Sequence, residues 1–154
     1  MKQISIYIQE GLKINSKTKV NSYKYHPKDR IELRKLLEEL FDERGENADL
    51  NDIDTSKITD MSDLFEFLDP HNIDISKWDV SKVIDMGWIF YNCENFNSDL
   101  SNWDVSNVKN MKYMFYRCRK FNSDLSKWDV SNVEDMYNIF GQSPLEKNPP
   151  KWYK

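Results

Sequence analysis

Few side chains in this sequence could carry out covalent or acid–base chemistry. The candidates are Cys93, Cys118, His26 and His71. His26 precedes Pro27 and reads as loop. His71 follows Pro70, where matching segments carry Phe96 and Phe121, and reads as a corner filler. Neither histidine stands at a spacing from cysteine or serine that a nucleophile–base pair uses. Cys93, Cys118 and His71 fit no common zinc-ligand spacing. With four glycines there is no phosphate-cradling loop. No catalytic residue, no metal and no cofactor are therefore expected, and the chain reads as a non-enzyme.

What the sequence does offer is carboxylates and aromatic rings in rows. Asp54, Asp79, Asp104 and Asp129 recur at a constant interval, as do Asp49, Asp74, Asp99 and Asp124. Exposed carboxylates on neighbouring chain segments ~4.8 Å apart repel by about 1 kcal/mol in water, so such a row needs a reason. Each aspartate could accept hydrogen bonds from the serine after it, in a turn. The row could bind a cation, although DLNDID lacks the glycine of a calcium loop. Or it could present an acidic face to a basic partner. The rings are Trp88, Tyr91, Tyr113, Tyr116 and Tyr137, which fall off the apolar stripe of their segments. They either tile the outer surface or form a contact patch edged by Arg117, Arg119 and Lys120.

The interval behind these rows is 25 residues. Trp78, Trp103 and Trp128 mark one column, Met61, Met86, Met111 and Met136 a second, Phe65, Phe90, Phe115 and Phe140 a third. A weaker first copy has Ile53 for Trp. A fixed period in this range signals stacked repeats. Trp103 and Val105 alternate about Asp104, the period of a strand. Met111, Met114, Phe115 and Cys118 follow i, i+3, i+4 and i+7, one stripe of a helix, with Asn110 as N-cap and Asp60, Asp85 and Asp135 matching it. Each copy thus predicts a strand, a turn and a short helix. Cys93 and Cys118 stand one repeat apart, as a buried thiol row or as a pair within disulfide reach.

The motif DLSNWDVSNVKNMKYMF resembles the BspA-type leucine-rich repeats, the variety with Met and Trp found in bacterial surface proteins and phage-related genomes. The likeness covers residues 49–141. It implies a curved stack of parallel strands and a role in binding rather than catalysis. The expected fold is an α/β solenoid: a leucine-rich-repeat-like stack of four 25-residue strand–turn–helix units, with an N-terminal strand or hairpin and a capping helix.

Around the repeats, Ile4, Ile6 and Ile8 alternate, so residues 1–26 predict a strand or hairpin. Residues 27–48 predict a capping helix, roughly 28–44, beginning at Pro27, with Ile31, Leu33, Leu36, Leu37, Leu40 and Phe41 on one stripe and Gly45 as C-cap. Residues 142–154 form a Pro-rich tail in which Trp152 and Tyr153 either cover the last repeat or hang free. The net charge is −4, and the repeats are its acidic part, which excludes nucleic-acid binding by phosphate neutralisation. The opening MKQISIYIQEG is too short and polar for a leader, and no run is long enough to span a membrane. The functional expectation is a cytoplasmic protein–protein interaction module, monomeric or weakly homo-oligomeric, of bacterial or phage-related origin. The alternative is an acidic inhibitor that mimics nucleic acid and blocks a basic partner, as an anti-defence protein of a phage or mobile element would.

Overall fold

The computed structural model describes residues 22–154. The expected N-terminal strand or hairpin lies outside these residues, apart from the last few of 1–26. Helix α1 runs Arg30–Arg44. Asp29 starts it: its carboxylate accepts from the Glu32 amide at 2.9 Å, while the Glu32 carboxylate accepts from the Lys28 amide at 2.9 Å. The first bond satisfies a donor that a helix start leaves open, and the second ties the residue before the cap to the first turn. Gly45, at φ 80°, ends the helix with its amide on the Phe41 carbonyl, a conformation that costs glycine little. Leu33, Leu36, Leu37 and Leu40 are buried. Ile31, expected on the same stripe, is 74% exposed, because it shares a helix face with Lys35 and Glu38 instead.

Residues 49–141 do not form the expected α/β solenoid, and the leucine-rich-repeat architecture is corrected with it. Among the described residues there is no strand and no sheet. Apart from α1 the only helix is a single 3-10 turn, Pro144–Glu146, and β-pairing is confined to isolated bridges such as Asp60–Asp85, Asp85–Asn110 and Asn110–Asp135. The backbone gives the reason. Where a helix was expected over Met111–Cys118, Tyr113 (φ 54°) and Arg117 (φ 60°) are left-handed, which no α-helix accommodates. Met114, Tyr116 and Cys118 close turns onto the carbonyls three residues back, Met111, Tyr113 and Phe115. The intervening amides of Met111, Tyr113, Phe115 and Arg117 donate instead to Asp135, Tyr137, Ile139 and Gly141 of the next repeat. Asn110 and Asp85, expected as N-caps, accept from the amide two residues on. Where a strand was expected, Leu100 to Trp103 and Val105 to Val108 are two successive turns, each closed by an amide-to-carbonyl bond.

The repeats therefore lie on one another as coils of turns: over residues 111–117 alternate amides point onward to the next layer, while those of Ile84, Lys109 and Glu134 point back to Thr59, Ile84 and Lys109 of the layer before. Rings fill the interior. Trp78 stacks on Trp103 at 6.4 Å and 5° between planes. Phe65, Phe90, Phe115 and Phe140 follow at 5.2, 5.7 and 5.9 Å. The Nε1 groups of Trp78, Trp103 and Trp128 each donate to the carbonyl of Leu50, Ile75 and Leu100, at 3.0 Å. Cys93 and Cys118 are free and buried. The Cys118 thiol meets the Phe90 carbonyl at 3.0 Å, and burial pushes both thiols well above their ordinary pKa, so they are inert fillers.

Both ends of the stack are closed by different means. At the front, no earlier repeat among the described residues supplies amides for the carbonyls of Ser62 and Leu64. Helix α1 supplies guanidinium groups: Arg30 reaches Ser62 at 3.2 Å, and Arg34 reaches Asp63 at 3.3 Å and Leu64 at 2.9 Å. One and two layers on, the matching carbonyls of Gly87, Ile89, Lys112 and Met114 take the amides of Asp63, Phe65, Trp88 and Phe90. At the back, Trp152 extends the Trp column onto Trp128, at 6.4 Å and 9°, with its Nε1 on the Leu125 carbonyl at 2.7 Å. Tyr153 meets Phe140 edge-on at 5.3 Å. The tail thus covers the last repeat.

Candidate interaction surface

The register that buries Met86, Ile89, Phe90 and Cys93 also fixes what lies between them. Trp88 and Tyr91 point away from the interior, half-buried, and so do Tyr113 and Tyr116 one layer on. Equal repeat positions stack: Trp88 on Tyr113 at 6.0 Å and 15°, Tyr91 on Tyr116 at 5.4 Å and 10°. Tyr113 ties the rows together, edge-on to Tyr91, Tyr116 and Tyr137 at 6.2, 5.4 and 5.4 Å. Tyr137 is 64% exposed. All five rings singled out in the sequence are therefore one continuous patch.

Its surroundings are polar and fixed. The Lys112 ammonium lies 4.7 Å from the centre of the Trp88 ring, a cation–π contact. Gln142 Nε2 donates to the Tyr116 hydroxyl at 2.7 Å. Glu94 accepts from Arg117 at 3.3 Å and faces Arg119 at 3.4 Å. The backbone beneath is unusual. Trp88 (φ 55°) and Tyr113 (φ 54°) hold left-handed conformations, which Asp63 and Asn138 hold at the same place in the first and last repeats. Asp and Asn tolerate that region, whereas bulky side chains rarely enter it.

The aspartates lie elsewhere in the repeat. Asp79, Asp104 and Asp129 are exposed and Asp54 is half-buried. In each, Oδ1 accepts the amide of the serine two residues on, at 3.0–3.1 Å. The serine hydroxyl adds a 2.6 Å bond at Asp54, Asp79 and Asp104. Asp74 repeats the motif with Ser76, and Asp124 accepts the Ser126 amide at 2.9 Å. Those donors hold the Asp74 and Asp124 carboxyls below the ordinary range. At Asp54 burial pushes upward, and the Ser56 hydroxyl and amide together with His26 outweigh it.

Two features escaped the sequence reading. Phe67 is 90% exposed at φ 64° and borders a cleft of about 370 Å3 with Tyr91. Its signal was a mismatch of type: one, two and three repeats on stand the polar Asn92, Arg117 and Gln142. The second is Trp152 as a further member of the Trp column. Lys151-Trp152 repeats Lys77-Trp78 and Lys127-Trp128, but 24 rather than 25 residues after the last of them.

No helix among the described residues is long and apolar enough to cross a membrane. Comparison with curated proteins and with solved structures yields no match. One family does match, over residues 35–152, a span that takes in most of α1, all four repeats and Trp152. By that span the chain belongs to the family described as "Mycoplasma protein of unknown function, DUF285".

Proposed function

We propose that this protein is a non-enzymatic, cytoplasmic protein-binding module that engages its partner through Trp88, Tyr91, Tyr113, Tyr116 and Tyr137. The observation that carries this is the union of the five rings in one outward patch, two of them on left-handed backbone. Asp63 and Asn138 hold the same left-handed backbone at the matching place without a ring, so the fold's turn does not itself require an aromatic side chain there. Large rings with little rotamer freedom are what interface centres use. The likeness of WDVSN and M-x-x-M-F to BspA-type sequences, which implies binding, supports the same role. In affinity capture from the native extract, the Trp88→Ala/Tyr113→Ala variant is expected to recover at least about tenfold less partner than the unaltered protein. Equal recovery from both would remove the patch from consideration.

The alternative, an acidic mimic of nucleic acid that blocks a basic protein, draws on the two aspartate rows. Asp74, Asp99 and Asp124 are exposed like Asp79, Asp104 and Asp129, and the serine donors hold the carboxyls of Asp74, Asp99, Asp124 and Asp129 below the ordinary range. Binding by that face would fall steeply between about 50 and 300 mM salt, while binding through the rings would change little.

A further inference from the structure

The Tyr91–Tyr116 column starts abruptly. One repeat before Tyr91 stands Glu66, so no ring of the first repeat covers the front of Tyr91. That side opens on the cleft of about 370 Å3, which Glu66, Phe67, Asp69, Tyr91 and Glu94 border. Phe67 stands 90% exposed at its mouth, and its ring contributes nothing to the core. The charge around the cleft is uneven. Glu94 is engaged by Arg117 and Arg119, and Asp69 faces His71 Nε2 at 3.5 Å and Asn95 Nδ2 at 3.5 Å. Glu66 has no ion-pair partner among the described residues. Two rings with free surface beside an unpaired carboxylate suit a group that has an apolar stem and a positive head. The chain itself seats such a group nearby, where the Lys112 ammonium covers Trp88 at 4.7 Å.

We infer that this cleft receives a lysine or arginine side chain of the protein partner, its stem between Phe67 and Tyr91 and its charge toward Glu66 and Asp69. The inference rests on the protein-binding role proposed above and names the chemistry at one end of that patch. A neutral or acidic side chain would leave Glu66 unpaired or repelled, and an apolar one would forgo the carboxylates.

The test uses small probes rather than the partner, so it stands or fails apart from the capture experiment. N-acetyl-lysine N-methylamide is titrated into the full chain while the ring protons of Phe67 and Tyr91 are followed by NMR, with N-acetyl-arginine N-methylamide in parallel. Saturable shifts of both rings are expected. The uncharged N-acetyl-norleucine N-methylamide should bind at least about threefold more weakly. Phe67→Ala and Glu66→Gln/Asp69→Asn should each weaken the lysine probe by at least about threefold. Phe67, Glu66 and Asp69 are outside the core, and an unchanged thermal melt verifies folding of each variant. The inference is overturned if norleucine binds as well as lysine and arginine, if the rings do not shift, or if folded Phe67 and Glu66/Asp69 variants bind unchanged.

Discussion

Two residue types recur in every layer for different physical reasons. The tryptophans carry a large apolar area inward and also close a backbone account, since each indole N–H satisfies a carbonyl 28 residues earlier. Trp103→Phe keeps most of the ring stack and removes that donor, so the buried Ile75 carbonyl loses its bond. A loss of about 1–3 kcal/mol in urea unfolding is expected, whereas a change within about 0.5 kcal/mol would mean that the stack alone holds the column. The aspartates do their work at the surface. Asp74 is held below the ordinary carboxylate range chiefly by the Ser76 hydroxyl, at 2.7 Å. A depressed pKa in the folded state adds stability above the unfolded value of about 4 and loses it as pH falls through the folded value. Ser76→Ala should therefore move the Asp74 titration upward in a carboxyl NMR series, and should destabilise more at pH 7 than at pH 2. An unmoved Asp74 midpoint would assign the shift to other groups.

At the scale of elements, helix α1 was legible and the repeats were not. The helix declares itself through local signals: Asp29 with Glu32, Gly45, and four leucines on one face. In the repeats the spacing i, i+3, i+4, i+7 is satisfied equally by a helix and by consecutive turns closed over three residues. Periodicity alone cannot separate them. What decides is the left-handed backbone at Trp88, Asn92, Tyr113 and Arg117, and a tryptophan, tyrosine or arginine there gives no warning. The ring patch was legible because it needs only the register and the stripe. Its neighbour Phe67 was not, since a phenylalanine in a phenylalanine-rich segment reads as core. The same backbone explains what α1 is for. Where the amides point onward, as from Asp63 to Gly87 and from Phe65 to Ile89, the matching carbonyls of the first repeat are left open at the front, and Arg30 and Arg34, one helical turn apart, meet them. Arg34→Met keeps the stem and removes the donors, leaving the Asp63 and Leu64 carbonyls without them. The expected cost is about 1–3 kcal/mol. Arg34→Lys should recover only part, because one ammonium does not reproduce the planar fork. Equal stability of all three proteins in thermal melts would show that water serves these carbonyls as well.

For the molecule as a whole, each layer touches only its neighbours, so stability is expected to pass along the stack rather than to be shared evenly. The two ends are not equivalent in this respect. The front is held by a capped helix with four buried leucines, the back by a short tail whose anchors are Leu145, Trp152 and Tyr153. In the last repeat Val130, Val133 and Met136 are only partly buried, while Val105, Val108 and Met111 one layer before them are fully enclosed. The back should therefore open first, and Trp152 should set how easily. Trp152→Ala removes the ring that covers Trp128 and Phe140 and the donor to the Leu125 carbonyl. Because Trp152 is half-buried, a loss somewhat under the 3–5 kcal/mol of a core tryptophan is expected, about 2–3 kcal/mol. Hydrogen exchange reads where it falls. Amides of the last two layers, such as Ile139 and Phe115, should exchange faster in the variant, while Leu33 in α1 and Asp63 in the first repeat stay as protected as before. A uniform rise across all layers would mean that the stack melts as one unit and that neither end governs the other.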